Sequence, residues 1–192
     1  FTDRQLVALN LFSDLLIEVR DEIERDAKVS GYTKKGDSLR SGGDGSAAYS
    51  EALMVYLTFC LDKCADYWSS LCSWHSSRQT IRNTFGRQAL PIVWDYAEVN
   101  PFSFSTGNWL SMLSWIVRAT DQFMPNSIGS VKNADAQRVD YPDGAVISTD
   151  PPYYDNIGYA DLSDFFYCWM KRSLQPIYPD LFGVLVSPKS EE

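Results

Sequence analysis

Hydrophobic residues recur at three- and four-residue intervals through the first two-thirds of the chain, the spacing typical of helices with one apolar face. Thr2, with Gln5 three residues later, is a capping-box pair that predicts a helix start. Three helices are predicted: one after Thr2 with apolar positions up to Ile23, one from about Ala47 to Ser70, and one from Thr106 or Asn108 to before Pro125. We therefore expect residues 1–125 to form a helical region.

Two stretches interrupt these helices. Residues 30–46 contain five glycines among Ser, Lys and Asp, a composition typical of a mobile loop. Residues 71–105 are rich in aromatic residues and proline but follow no clear period, so an irregular segment is expected there.

The pattern changes after Asn126, where short apolar runs bounded by turn residues predict strands. Three strands are predicted, at 127–132, 144–149 and 183–187, with a helix from about Leu162 to Ser173 between the last two. The nearly continuous apolar run at 144–149 suits a strand buried in a parallel sheet. Because strand, turn, helix and strand form the unit of an α/β fold, residues 126–192 are expected to be a partial α/β unit behind the helical region.

Composition narrows the class of protein. With 192 residues, 45% of them hydrophobic and 14% aromatic, the chain can bury a core and does not have the composition of a disordered protein. A net charge of -8 argues against binding nucleic acid through overall charge, so a phosphate-rich partner would need a local basic patch. No apolar run approaches the roughly 20 residues of a membrane span, and four cysteines without a signal segment suit the cytoplasm. The start at Phe1, without an initiator Met, suggests a piece of a longer protein.

The segment with the clearest chemistry is Asp150-Pro151-Pro152-Tyr153, which follows the predicted strand at 144–149. In an open α/β sheet the ligand crevice lies at the carboxyl ends of the strands, where this segment would be. Asp150 and the Pro151 carbonyl could accept hydrogen bonds from an exocyclic amine, while Tyr153 stacks on a planar base. Those bonds would concentrate the nitrogen lone pair, so that attack on a methyl sulfonium needs positioning more than a strong base.

Asp-Pro-Pro-Tyr at a strand end resembles the catalytic motif of DNA amino-methyltransferases. The longer string 148–167, which begins Ser-Thr-Asp-Pro-Pro-Tyr-Tyr-Asp-Asn-Ile-Gly-Tyr, is similar to the large adenine-specific DNA methylases of bacteria and archaea, as are the stretches at 84–91, 94–102 and 188–192. The resemblance implies a Rossmann-like class I methyltransferase sheet, S-adenosylmethionine as cofactor, and DNA with a flipped-out base as partner. It assigns catalysis to Asp150, Pro151, Pro152 and Tyr153.

The same resemblance implies a site for the cofactor. Asp135 and Ala136 are similar to the Asp-Ala step that holds the adenine of S-adenosylmethionine, the carboxylate accepting from the amino group and the Ala136 amide donating to the ring. A plain turn is the alternative. The glycine-rich loop that holds the methionine part in this family has no counterpart here, since Gly42-Gly43-Asp44-Gly45 follows no strand. We expect that loop in the remainder of the polypeptide, before Phe1.

Several residues could contact DNA. Tyr154 and Asn156 follow the motif and would lie near the target base, or they simply form a turn. Arg78, Arg82 and Arg87 fall in a stretch, from Leu71 to Leu90, that contains no acidic residue. They could contact a DNA backbone, or they could pair with the abundant carboxylates of the chain.

Metal binding is not predicted. Cys60, Cys64, Cys72 and His75 have gaps that do not match zinc-knuckle spacing, so buried thiols are expected instead.

The sequence favours a DNA amino-methyltransferase acting on adenine. Two alternatives stay open: the same chemistry on cytosine, an RNA base or a glutamine amide, and a non-catalytic helical module that docks proteins or DNA. A turn that ends a strand is the non-catalytic interpretation of the motif itself.

Overall fold

The computed structural model describes residues 1–32, 36–123, 129, 131, 134–150 and 157–187. This part of the chain is mixed α/β and rich in helix, with four α-helices and one two-stranded antiparallel sheet. The elements are α1 (Asp3–Val29), α2 (Ser46–Tyr67), β1 (Ser73–His75), β2 (Thr80–Arg82), α3 (Trp109–Thr120) and α4 (Tyr159–Leu174), with a 3-10 turn at Leu39–Ser41. Within the described residues, no helix has both the length and the apolarity to cross a membrane.

The capping box at the start of α1 is confirmed. Thr2 Oγ1 accepts from Gln5 N at 3.3 Å, and Gln5 Oε1 accepts from Thr2 N at 2.8 Å. The Thr2 hydroxyl also donates to Glu98 Oε1 at 2.9 Å, and Arg4 pairs with Glu98 at 2.6 Å. These bonds tie the beginning of α1 to the segment that follows the hairpin.

Helix α2 is the centre of the fold, because it contacts α1, α3 and α4. The one apolar face predicted for this helix, which begins at Tyr49, does not describe its burial. Tyr49 is 41% exposed, whereas Met54 and Thr58, which lie outside the predicted face, are buried. A helix with three neighbours buries more than one face. The Thr58 hydroxyl is satisfied in this interior by donating to Met54 O at 2.8 Å.

The hydrophobic core lies among the four helices. Its buried members are Leu9, Leu16, Met54, Cys60, Leu61, Cys64, Ala65, Trp68, Met112, Trp169, Leu174, Ile177 and Phe182. The predicted helices at 47–70 and 162–173 agree with α2 and α4 to within three residues, and the third prediction agrees with α3 apart from its end at Thr120.

The segment predicted to be irregular contains the only sheet among the described residues. Strands β1 and β2 pair with Ser73 opposite Arg82, Trp74 opposite Ile81 and His75 opposite Thr80. Gln79, just before β2, has a left-handed φ of 50°, a conformation found mostly in tight turns. Strands of three residues are too short for a period-2 pattern to identify them.

The strand predicted at 144–149 does not form in the structure. Residues 145–150 have no regular secondary structure, Val146 is 97% exposed and Ile147 is 60% exposed. A strand is stable only when neighbours satisfy its backbone groups, and no described residue supplies a neighbouring strand here. Most of the strand predicted at 127–132 lies outside the described residues.

The strand predicted at 183–187 is also not formed, because α4 satisfies its backbone instead. Tyr167 Oη and Lys171 Nζ donate to the Val184 carbonyl at 2.9 and 2.6 Å, and Ser187 N donates to Asp164 Oδ1 at 2.8 Å. Side chains from successive turns of one helix thus take the place of a partner strand.

Candidate functional site

Asp150 ends a described segment, 134–150, in which every residue but one is exposed. Its carboxylate is not sealed beneath packed side chains, so it is accessible to a ligand. The other predicted catalytic residues, Pro151, Pro152 and Tyr153, and the predicted DNA contacts Tyr154 and Asn156, lie outside the described residues.

The chain beyond the motif enters α4 almost at once. Gly158 is the N-cap residue and makes no side-chain capping bond, and Asp161 lies in the first turn. Asp164 Oδ1 accepts from both the amide and the hydroxyl of Ser187, at 2.8 and 2.6 Å. These bonds therefore attach α4 to the segment that follows the helix.

Asp135 and Ala136, the predicted cofactor residues, are both exposed and lie in a turn. Asp135 Oδ1 accepts from Gln137 N at 2.9 Å, and Oδ2 lies 3.3 Å from Arg138 Nε. The Arg138 amide completes the turn by donating to Asp135 O at 2.9 Å. The local geometry is that of the turn considered as the alternative, and cofactor binding by this step stays a prediction.

Asp66, near the end of α2, holds the chain that leaves β2. Its Oδ2 accepts from Asn83 Nδ2 at 2.8 Å and its Oδ1 from Phe85 N at 3.0 Å, while its carbonyl accepts from Thr84 N at 2.8 Å. Ser69 adds a buried hydroxyl contact of 2.6 Å to Thr84. No local sequence signal indicates this clamp, because its partners lie 17 to 19 residues from Asp66.

Phe85 joins the clamped segment to α4. Its ring centroid lies 4.9 Å from that of Phe165 and 5.2 Å from that of Phe166. Phe165 also stacks on Phe1 at 5.5 Å. The segment with Arg82 and Arg87 is therefore attached to the helix that begins nine residues after Asp150, at Tyr159.

Arg78, Arg82 and Arg87 are all exposed, on the hairpin and on the chain that follows it. Arg82 and Arg87 line a groove of about 610 Å³, together with Leu71, Ser73, Asn83, Thr84, Gly86, Ala89, Leu90, Pro91, Ile92 and Val93. In the part of the chain that is described, none of the three guanidinium groups lies within 4.0 Å of a carboxylate. The intramolecular pairing considered for them does not occur there.

The cysteines outside α4 are free and buried, at positions 60, 64 and 72. Burial raises the pKa of the Cys64 thiol, with a further contribution from Cys60. Among the described residues, no three His, Cys, Asp or Glu side chains are grouped so as to hold a metal ion.

Asp62 is a buried carboxyl group that sequence patterns did not single out. Burial raises its pKa from 3.8 to about 8, and in the described part of the chain its Oδ1 atom has no hydrogen-bond partner. It lies in α2, close enough to Cys168 in α4 for its charge to contribute to raising the pKa of that thiol, although burial is the larger cause.

The structure thus packs Phe85, between Arg82 and Arg87 in the sequence, against α4, and Asp150, which precedes the same helix in the chain, is exposed. No family model, curated protein or solved structure matches this chain.

Proposed function

We propose that this chain is the catalytic part of a DNA amino-methyltransferase that methylates the exocyclic amine of adenine. The observation that carries the proposal is the motif Asp150-Pro151-Pro152-Tyr153, whose carboxylate is exposed at the end of an open segment. A turn that only ends a strand does not require an acid, two prolines and an aromatic residue in this order.

Each residue of the motif would have a separate role in binding the target base. Asp150 and the Pro151 carbonyl accept the two hydrogens of the amine, and Pro152 keeps the backbone rigid. Tyr153 stacks on the ring of a base rotated out of the duplex. With both hydrogens held, the nitrogen lone pair is less delocalised into the ring and can attack a methyl sulfonium carbon. The sulfur would leave as a neutral thioether when its bond to the methyl carbon breaks, and the surplus amine proton would pass to the Asp150 carboxylate or to water.

S-adenosylmethionine would supply an electrophilic methyl group. Asp135 and Ala136 fit its adenine in exposure and in chemistry, since Asp135 is accessible and each carboxylate oxygen has two lone pairs. The amide of Gln137 and the guanidinium of Arg138 already use part of this capacity, so Asp135 would bind the adenine within an existing turn.

The proposal includes a Rossmann-like sheet completed by the remainder of the polypeptide, which would also supply the glycine-rich cofactor loop. Its support is the exposure of Val146 and Ile147, apolar residues directly before the motif. Consecutive apolar residues that favour a strand are stabilised when other strands cover them and remove them from water. A neighbouring strand would bury this pair and place Asp150 at the sheet edge.

The test is the Asp150→Ala variant of the full natural polypeptide, assayed with radiolabelled S-adenosylmethionine and duplex DNA. We expect methyl transfer to fall by at least about 100-fold, because the amine loses the group that orients it, while cofactor affinity measured by calorimetry is retained. Asp143→Ala, which removes an exposed acid from the same segment, is the matched control and should leave activity intact.

Unchanged methylation by Asp150→Ala would refute the proposal. Mass spectrometry of the product nucleosides identifies the base, and methylcytosine or a methylated RNA base would move the activity to another planar amine with the same chemistry.

A further inference from the structure

We propose that the groove lined by Arg82 and Arg87, together with Arg78 on the adjoining hairpin, binds the phosphate backbone of the DNA substrate. This inference rests on the proposed function, since it names the surface that holds the duplex while Asp150 acts on the extruded base. The groove is defined by Leu71, Ser73, Arg82 to Thr84, Gly86, Arg87 and Ala89 to Val93.

Charge is the first argument. The chain carries 25 acidic residues against 17 Lys and Arg, yet none of its acids lies between Leu71 and Leu90, and no acid among the described residues lines the groove. In the described segments the three arginines have no carboxylate within 4.0 Å. Arginines left unpaired in an acidic protein are available to an anionic partner, and their planar guanidinium groups suit phosphate.

The second argument is rigidity. Asp66 accepts from the Asn83 side chain and from the Thr84 and Phe85 amides, so the backbone at Thr84 and Phe85, between Arg82 and Arg87, is held at the end of α2. The same bonds use both carboxylate oxygens of Asp66, the acid that is hydrogen-bonded to this segment. Arginines on a held backbone lose less freedom on binding than arginines on a mobile loop.

The third argument is position. Phe85 packs against Phe165 and Phe166, so the groove is joined to α4, and α4 begins nine residues after Asp150. A duplex bound in the groove would lie near α4, the helix that follows the catalytic motif in the sequence. Arginines spread over a hairpin turn, a strand end and a following loop suit several phosphates along a strand better than one small anion.

The test is fluorescence anisotropy with a labelled duplex DNA, comparing the wild-type chain with the triple variant Arg78→Ala, Arg82→Ala, Arg87→Ala at several NaCl concentrations. We expect at least about tenfold weaker binding and a salt slope smaller by about 2 to 3, since each phosphate contact contributes about 0.9 to the slope. The side chains are exposed, so circular dichroism should show unchanged helix content.

The matched control is Arg4→Ala, Arg25→Ala, Arg118→Ala, which removes the same charge from arginines that already contact other side chains of the chain. This control should bind DNA almost as the wild type does. Equal losses in both triple variants, no binding by the wild type at low salt, or full competition by millimolar inorganic phosphate would overturn the inference.

Failure of this inference and failure of the proposed function are distinguishable. Asp150→Ala should bind the duplex with wild-type affinity, because Asp150 acts after binding. If the groove variant keeps full DNA affinity while Asp150→Ala abolishes methylation, the catalytic assignment stands and the groove is not the DNA surface.

Discussion

Two stretches of similar apolar character have opposite surroundings. In the second half of α2, Cys60, Leu61, Cys64 and Ala65 are completely buried, whereas Val146, four residues before Asp150, is almost completely exposed. Packing against three helices explains each residue of the first stretch. Ile147 in the second stretch is also 60% exposed, and the sheet that we propose would bury both residues.

The contrast extends to the polar residues. At the end of α2, Asp66 uses both carboxylate oxygens as acceptors within the fold. Asp150 is exposed, in a segment whose residues form only short turns. Asp66 thus has a structural role, whereas the catalytic role of Asp150 is a proposal.

The largest effect that would sharpen this comparison is expected for Trp68→Ala. The Trp68 side chain is 2% exposed, its Nε1 donates to Gly107 O at 2.8 Å, and its ring lies 5.3 Å from that of Phe12. Because the truncation leaves a cavity and an unpaired carbonyl, we expect the free energy of unfolding to fall by about 3 to 5 kcal/mol, measured by urea denaturation followed by circular dichroism.

Trp94→Ala is the matched control for that measurement. Trp94 is fully exposed, so the same truncation should change the free energy of unfolding by less than about 0.5 kcal/mol. Similar losses at both positions would show that the boundary between packed and open regions is misplaced.

A second effect, intermediate in size, concerns Asp62 and pH. Burial raises its pKa to about 8 in the folded chain, above its value of 3.8 when unfolded, so between these pH values the folded state binds the extra proton. Stability therefore falls as pH rises through this window, and it levels off above the folded pKa. Asp62→Asn should flatten this dependence in denaturation curves taken from pH 5 to 8.

Asp26→Asn is the control, since Asp26 is an exposed acid of α1. It should leave the slope of stability against pH as in the wild type. A wild-type slope that is already flat over pH 5 to 8 would show that Asp62 is solvated in solution and does not belong to the packed region.

The helices could be predicted because a helix that packs on one face needs apolar residues at regular intervals in the sequence. This pattern located α4 to within three residues. The hairpin could not, since its three-residue strands are too short to show a period, and Asp66, which accepts hydrogen bonds from the chain after β2, lies 17 to 19 residues from its partners. An apolar run such as 144–149 indicates that a strand is favoured, but it does not indicate whether a neighbouring strand is present to pair with it.

For the site, residue chemistry alone singled out Asp150 and the three arginines. The attachment of the segment with Arg82 and Arg87 to α4 could not be predicted, because the contact of Phe85 with Phe165 joins residues 80 positions apart. Such a contact depends on how α2 and α4 pack, and no local spacing records it.

The smallest expected effect is the one that tests the open region directly. Val146→Thr replaces an exposed apolar side chain by a polar one of nearly the same shape, so in this chain the free energy of unfolding should change by less than about 0.5 kcal/mol in urea denaturation. The same substitution at Val55, which is half-buried against the core, serves as the control and should destabilise by more than Val146→Thr does. A loss of more than about 1.5 kcal/mol at Val146 would mean that residues 144–149 pack in solution, and the contrast with α2 would then fail. If instead the variant is neutral in this chain but destabilises the full natural polypeptide, the additional burial must come from segments outside it, as the proposed sheet requires.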